Sequence, residues 1–181
     1  MNKKSDREKI HLEHEAARIF MRRFETKTGL KIRDIIHNQP SKPDVTCHLE
    51  GEVLDLEIAH VYGSEDEAMQ ILGRHIDKDT SVELKQLQTI RGANNRLLSA
   101  LNRILLNKAK KYYQTKKVWL ILRNAHPAWT AKEIKQLRTD ISIPSRHPFE
   151  QIWIIGDFTG HSDILRLYPS NIPKQADFCP L

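Results

Sequence analysis

Two runs, VWLIL at 118–122 and IWIIG at 152–156, constrain the fold of this chain more than any other feature. Each is apolar over the length of a strand, so neither offers a face to water. Such strands are stable where both faces of their sheet are covered, as in parallel or mixed sheets carrying helices. A third run, ILRLY at 164–168, reads as a closing edge strand.

Helices to cover the sheet are legible on either side of these runs. Residues 6–28 place Ile10, Ala17, Met21 and Phe24 at three-to-four spacing, and Gly29 reads as the stop. From Ser81 to Tyr113, Ile90, Leu97, Leu101, Ile104, Leu105, Ala109 and Tyr112 form one apolar stripe, with Gly92 as a break between two pieces. A shorter helix is expected over 65–75, ending near Gly73, and TAKE at 130–133 opens another through a capping box. KIRDIIH at 31–37 suggests a short strand, and HNQPSKP a loop. DVTCHL at 44–49 and EVLDLEIAHV at 52–61 then read as a hairpin turning at Glu50 and Gly51. The order predicts an α/β fold with a mixed central sheet flanked by helices. One domain over 1–170 and an irregular tail over 171–181 complete the expected organisation.

Composition narrows the function classes. No apolar stretch approaches the ~20 residues that span a bilayer, and the basic N-terminus leads into charged sequence rather than an apolar core. Cys47 and Cys179 lack metal-ligand spacing and read as reduced thiols, so a cytoplasmic protein without membrane partners is expected. The net charge of +6, from 29 Lys and Arg against 23 Asp and Glu, favours a polyanionic partner. No Gly-rich phosphate loop, serine-nucleophile elbow or HxxxH pair is present.

The hairpin carries the chemistry. Alternation along 52–61 places Leu54, Leu56 and Ile58 on one face and Asp55, Glu57 and Ala59 on the other. Carboxylates in so apolar a strand are costly to bury unless paired or bound to a cation. Asp44, just after Pro43, opens the neighbouring strand where its side chain can reach Glu57. An oxygen-rich cluster of this kind suits Mg²⁺ or Mn²⁺. His48, on the Asp44 and Thr46 face, would support the cluster from behind, whereas His60 falls on the apolar face as a core histidine.

Pro43-Asp44, a short hairpin and then an acid in an apolar strand resemble the PD-(D/E)XK nuclease superfamily, which includes restriction endonucleases and Holliday-junction resolvases. The thirteen positions from Asp44 to Glu57 suit that family. LEHEAARIF resembles its first helix, whose glutamate would be Glu13 or Glu15 here. NRILLNKAKKYYQTKKVWLIL resembles its central helix and following strand. The resemblance covers roughly residues 10–125 and implies a restriction-endonuclease-like αβββαβ core with a C-terminal α/β extension. It also implies a nuclease hydrolysing DNA phosphodiester bonds, with Asp44, Glu57, Asp55 and the Leu56 or Ile58 carbonyl around the metal. Glu13 would bind a second metal or position the attacking water.

One departure stands out. With Glu57-Ile58-Ala59 as the (D/E)XK element, Ala59 occupies the lysine position; with Asp55-Leu56-Glu57, Glu57 does. The missing cation would come from elsewhere, and Lys108 and Lys111 on the long helix are the candidates. Two other expectations stand beside the enzyme: a catalytically inactive nuclease-like module that binds nucleic acid, and an α/β domain whose acidic hairpin only mediates oligomer contacts. A homodimer is left open.

Overall fold

A computed structural model describes residues 3–38, 43–63, 92–126, 129–157 and 159–170. Helix α1 (Lys3–Thr28) precedes strands β1 (Ile32–His37), β2 (Val45–Leu49) and β3 (Glu52–Val61). Helix α2 (Ala93–Ala109), strand β4 (Val118–Asn124), helix α3 (Ala131–Gln136) and strands β5 (Gln151–Ile155) and β6 (Ile164–Tyr168) follow. The expected helix over 65–75, the stretch 81–91 and the tail over 171–181 lie outside the described residues.

The six strands form one mixed sheet whose spatial order follows the chain, β1-β2-β3-β4-β5-β6. The first three pair antiparallel, β3-β4 and β4-β5 pair parallel, and β6 returns antiparallel. The hairpin turn has positive φ at both Glu50 (49°) and Gly51 (86°), the conformation that matches the twist of a two-residue connection. Parallel neighbours need crossovers. Both crossovers advance in one direction, and α2 and α3 pack on the same face, as crossovers of a common hand require.

That leaves the opposite face to α1. Ala16, Phe20 and Phe24 pack there on Leu54, Leu56, Ile58, Trp119 and Trp153. The rings of Phe20, Phe24, Trp119 and Trp153 meet at centroid distances of 5.4 to 6.5 Å, in tilted and edge-on arrangements that suit their quadrupoles. Under α2, Leu97, Leu101 and Leu105 cover Ala59, Leu120 and Leu122. The five residues of the apolar run in β4 are buried as expected, and Arg123 and Asn124 at its end are buried with them. Thr130 and Glu133 form the expected capping box at the start of α3. Cys47 is a buried free thiol, and burial pushes its pKa up to about 12. Among the described residues, no helix is long and apolar enough to cross a membrane.

The apolar stripe of α2 departs from expectation at its end. Leu97, Leu101 and Leu105 are buried, yet Tyr112 is 84% exposed and Tyr113 is only 6% exposed. The helix stops at Ala109, so helical periodicity no longer governs which residue turns inward. Gly92, with φ of 66°, stands at the N-cap of α2.

The far end of the sheet is tied to α1 at Gly160. Arg23 Nε donates to its carbonyl at 2.8 Å, and an added Cβ would collide with Ile19 Cγ2 where φ is already 71°. Gly160→Ala is therefore expected to destabilise the protein by about 1–3 kcal/mol, read from the midpoint of urea unfolding. An unchanged midpoint would mean that this loop is not fixed against α1.

Candidate metal and nuclease site

The site begins where β2 falls short. Val45 pairs with Leu56, so Asp44 stands just beyond the last paired residue, level with Glu57. Among the described residues β3 has no strand neighbour on that side from Glu57 onward, and the Ile58 N–H has no ladder partner there. Asp44 Oδ2 accepts it at 2.8 Å. Asn38 holds this corner: its amide nitrogen donates to the Asp44 carbonyl at 3.0 Å and its side chain to the Pro43 carbonyl at 3.0 Å.

Glu57 is 1% exposed. Its Oε1 accepts from Lys108 Nζ at 2.6 Å, and the same ammonium donates to the Ile58 carbonyl at 3.1 Å. Lys108, in the last turn of α2, thus reaches the strand position where Ala59 leaves no cation. Glu57 Oε2 is buried without a partner. Close by, the Tyr113 hydroxyl has its ionisation suppressed by burial first, then by the Glu57 carboxylate, with a smaller contribution from Asp44.

Glu13 joins from α1. It is 5% exposed, with Lys9 Nζ at 3.4 Å and His37 Nδ1 at 3.9 Å. Burial raises its pKa above the ordinary 4.5, and the charge of Asp44 raises it further, while Lys9 and Lys108 oppose the shift. A carboxyl that senses both Asp44 and Lys108 belongs to the same electrostatic unit. Beside it opens a cleft of about 500 Å³, lined by Leu12, Glu13, Ile58, His60, Ile104 and Lys108 among others.

Other expected participants stand apart. Asp55 Oδ1 accepts from Thr46 and Oδ2 from Thr115, both at 2.5 Å, so both of its oxygens are engaged by hydroxyls. His48 Nδ1 pairs with Asp34 at 2.9 Å at the partly exposed end of the hairpin, away from the cluster. Glu15 turns to Arg123 at 2.8 Å, leaving Glu13 as the α1 glutamate of the site. Lys111 lies beyond the helix end and is exposed. His60 sits on the apolar face as expected. Burial, followed by the Arg123 charge, lowers its pKa to about 4, so it is neutral at pH 7. Asp55 and Glu57 are 8% and 1% exposed, which withdraws them from any role as an acidic contact surface.

The donor set fits a hard divalent cation in kind. The Glu57 carboxylate is buried, the Ile58 carbonyl accepts from Lys108 beside it, and Asp44 brings a second carboxylate. Among the described residues no three His, Cys, Asp or Glu side chains form a ready ligand group. An ion here would therefore take one or two carboxylates, a main-chain oxygen and oxygens from water or substrate, the habit of Mg²⁺.

Two measurements follow from this electrostatic arrangement. Lys108→Met strands the buried Glu57 charge and is expected to cost about 3 kcal/mol in denaturant unfolding, with Glu57→Gln in the same chain restoring most of it. No cost would mean the pair is solvated. Because the folded-state pKa of Glu13 lies above its unfolded value, its ionised form opposes folding. That penalty is absent below the unfolded pKa and grows as pH rises through the window above 4.5. Glu13→Gln should accordingly stabilise the protein at pH 7 and leave it unchanged near about pH 3.5; equal effects at both would refute the burial of that charge. Compared with protein-family models, curated proteins and solved structures, the chain matches none, so the functional reading rests on the geometry of this site.

Proposed function

We propose that this protein is a divergent metal-dependent nuclease that hydrolyses DNA phosphodiester bonds, with a site of the PD-(D/E)XK kind. The observation that carries the reading is the Lys108 ammonium, which α2 delivers onto Glu57 Oε1 and the Ile58 carbonyl. It supplies from a helix the cation that position 59 lacks. The order of α1, three antiparallel strands, α2 and a parallel strand is compatible with the αβββαβ core of such enzymes.

Asp44, Glu57 and the Ile58 carbonyl would hold Mg²⁺ or Mn²⁺. When bound, the ion polarises a phosphoryl oxygen and lowers the pKa of a coordinated water. The chain's own residues supply the remainder. Lys108 keeps the carboxylate cluster from repelling an incoming phosphate and offers a donor for charge that develops on it. Glu13, with its raised pKa, is suited to accept a proton from the attacking water. The Tyr113 hydroxyl, whose ionisation is suppressed by burial and by the Glu57 carboxylate, is a donor near that carboxylate. Asn38 positions Asp44 through the main chain. The cleft beside Lys108 gives the nucleotide a place to lie, and the net charge of +6 favours a polyanion.

One observation favours a second reading. Lys108 Nζ already sits on the Ile58 carbonyl and on one oxygen of Glu57, so the cluster holds a cation without a metal ion. A catalytically inactive nucleic-acid-binding module would show that arrangement too. Supercoiled plasmid with Mn²⁺ or Mg²⁺ separates the two. The enzyme should nick or linearise it, with at least a hundredfold loss in Asp44→Asn and Glu57→Gln, on the order of a removed metal ligand or its support. DNA binding without metal-dependent cleavage would establish the inactive module instead.

A further inference from the structure

Helix α1 divides its cations into two sets. Those near the protein are engaged: Lys27 meets Asp163 at 2.6 Å, and Arg23 donates to the carbonyls of Gly160 and His161. The outward set is Arg7, Arg18 and Arg22, with the imidazoles of His11 and His14 between them, so that the five are spaced four, three, four and four residues apart. At 3.6 residues per turn these fall on one stripe, opposite the buried Phe20 and Phe24. All but His14 are exposed. No ion pair involves Arg7, Arg18 or Arg22 among the described residues.

Like charges at i and i+4 oppose helix formation, and Arg18 and Arg22 are such a pair. The nearby Glu15 carboxylate borders this stripe and is paired with Arg123 at 2.8 Å. The stripe runs about 22 Å at 1.5 Å per residue, a length over which a DNA duplex presents on the order of a dozen phosphates. Glu13 lies on the inner side of the same helix, so a duplex held along the stripe is anchored to the element that contributes to the candidate site.

We infer that the outer face of α1 is a binding track for the phosphodiester backbone of duplex DNA flanking the site. The inference deepens the nuclease reading by assigning where its substrate is gripped. Neutralising Arg7, Arg18 and Arg22 together, each to Gln, removes three phosphate contacts. The slope of log affinity against log salt then falls by about 2.7, and the wild type's additional ~40-fold loss of affinity between 50 and 200 mM salt disappears.

The experiment measures anisotropy of a labelled duplex with the full chain in EDTA, across that salt range. The control replaces Lys116, Lys132 and Lys135 by Gln, an equal change in net charge elsewhere on the surface. A reduced slope in the stripe variant alone supports the track. Equal slopes in the two variants, an unchanged slope, or no duplex binding by the wild type overturns it. The nuclease reading fails separately: a stripe-dependent slope with no metal-dependent cleavage sinks the nuclease and keeps the track. Cleavage with a stripe-independent slope does the reverse.

Discussion

The ammonium of Lys108 on the buried Glu57 carboxylate joins the two halves of this molecule's chemistry. Without a cation, a carboxylate at 1% exposure in the middle of a sheet would carry a large desolvation penalty. With one, the acid can stay ionised, and the helix that delivers the lysine is held over the strand. The contact therefore fixes the end of α2 relative to β3. It also keeps an acidic cluster compatible with a polyanionic ligand. Pairs of this kind contribute less to net stability than to specifying which groups meet.

The site also depends on a strand being too short. If β2 had continued past Val45, the Ile58 N–H would pair with a backbone carbonyl and Asp44 would be one more ladder residue. Because pairing ends there, a side chain performs the cap and the neighbouring carbonyl accepts from Lys108. Irregularity at the end of a regular sheet thus leaves main-chain polarity to be met by side chains. Tertiary packing holds the irregular corner in place: α1 closes one side with Glu13, α2 closes the other with Lys108, and Asn38 holds the entry of the chain.

Much of the scaffold was legible from residues because single physical rules governed them. Strands β4 and β5 are covered on both faces, so an uninterrupted apolar run had one reading, and the capping box at Thr130 and Glu133 marked the start of α3 by local chemistry alone. The alternation of β3 assigned Glu57 and Ile58 to opposite faces. The rest needed long-range information. Thr115 is sixty residues from Asp55, and no pattern within the strand shows that its hydroxyl occupies that carboxylate. Lys108 and Lys111 lie three residues apart in one basic run; only the end of α2 at Ala109 distinguishes the lysine that reaches the sheet. The same helix end explains why Tyr113, rather than Tyr112, turns inward beside Glu57. Asn38 acts through its own N–H and through a side-chain amide that reaches across the loop to the Pro43 carbonyl, contacts that leave no periodic signature in the sequence.

The tight reversal at Glu50 and Gly51 sets a further condition on the molecule. In an antiparallel ladder each step along one strand is matched by a step back along the other, so the two-residue link works as a ruler that measures Asp44 out to the level of Glu57. Lengthening that link by a single residue would slide the facing strand and turn its alternate side chains to the opposite layer. Homologous chains that keep this chemistry should therefore vary the hairpin by matched changes on its two arms, so that the interval between the two acids changes only in even steps.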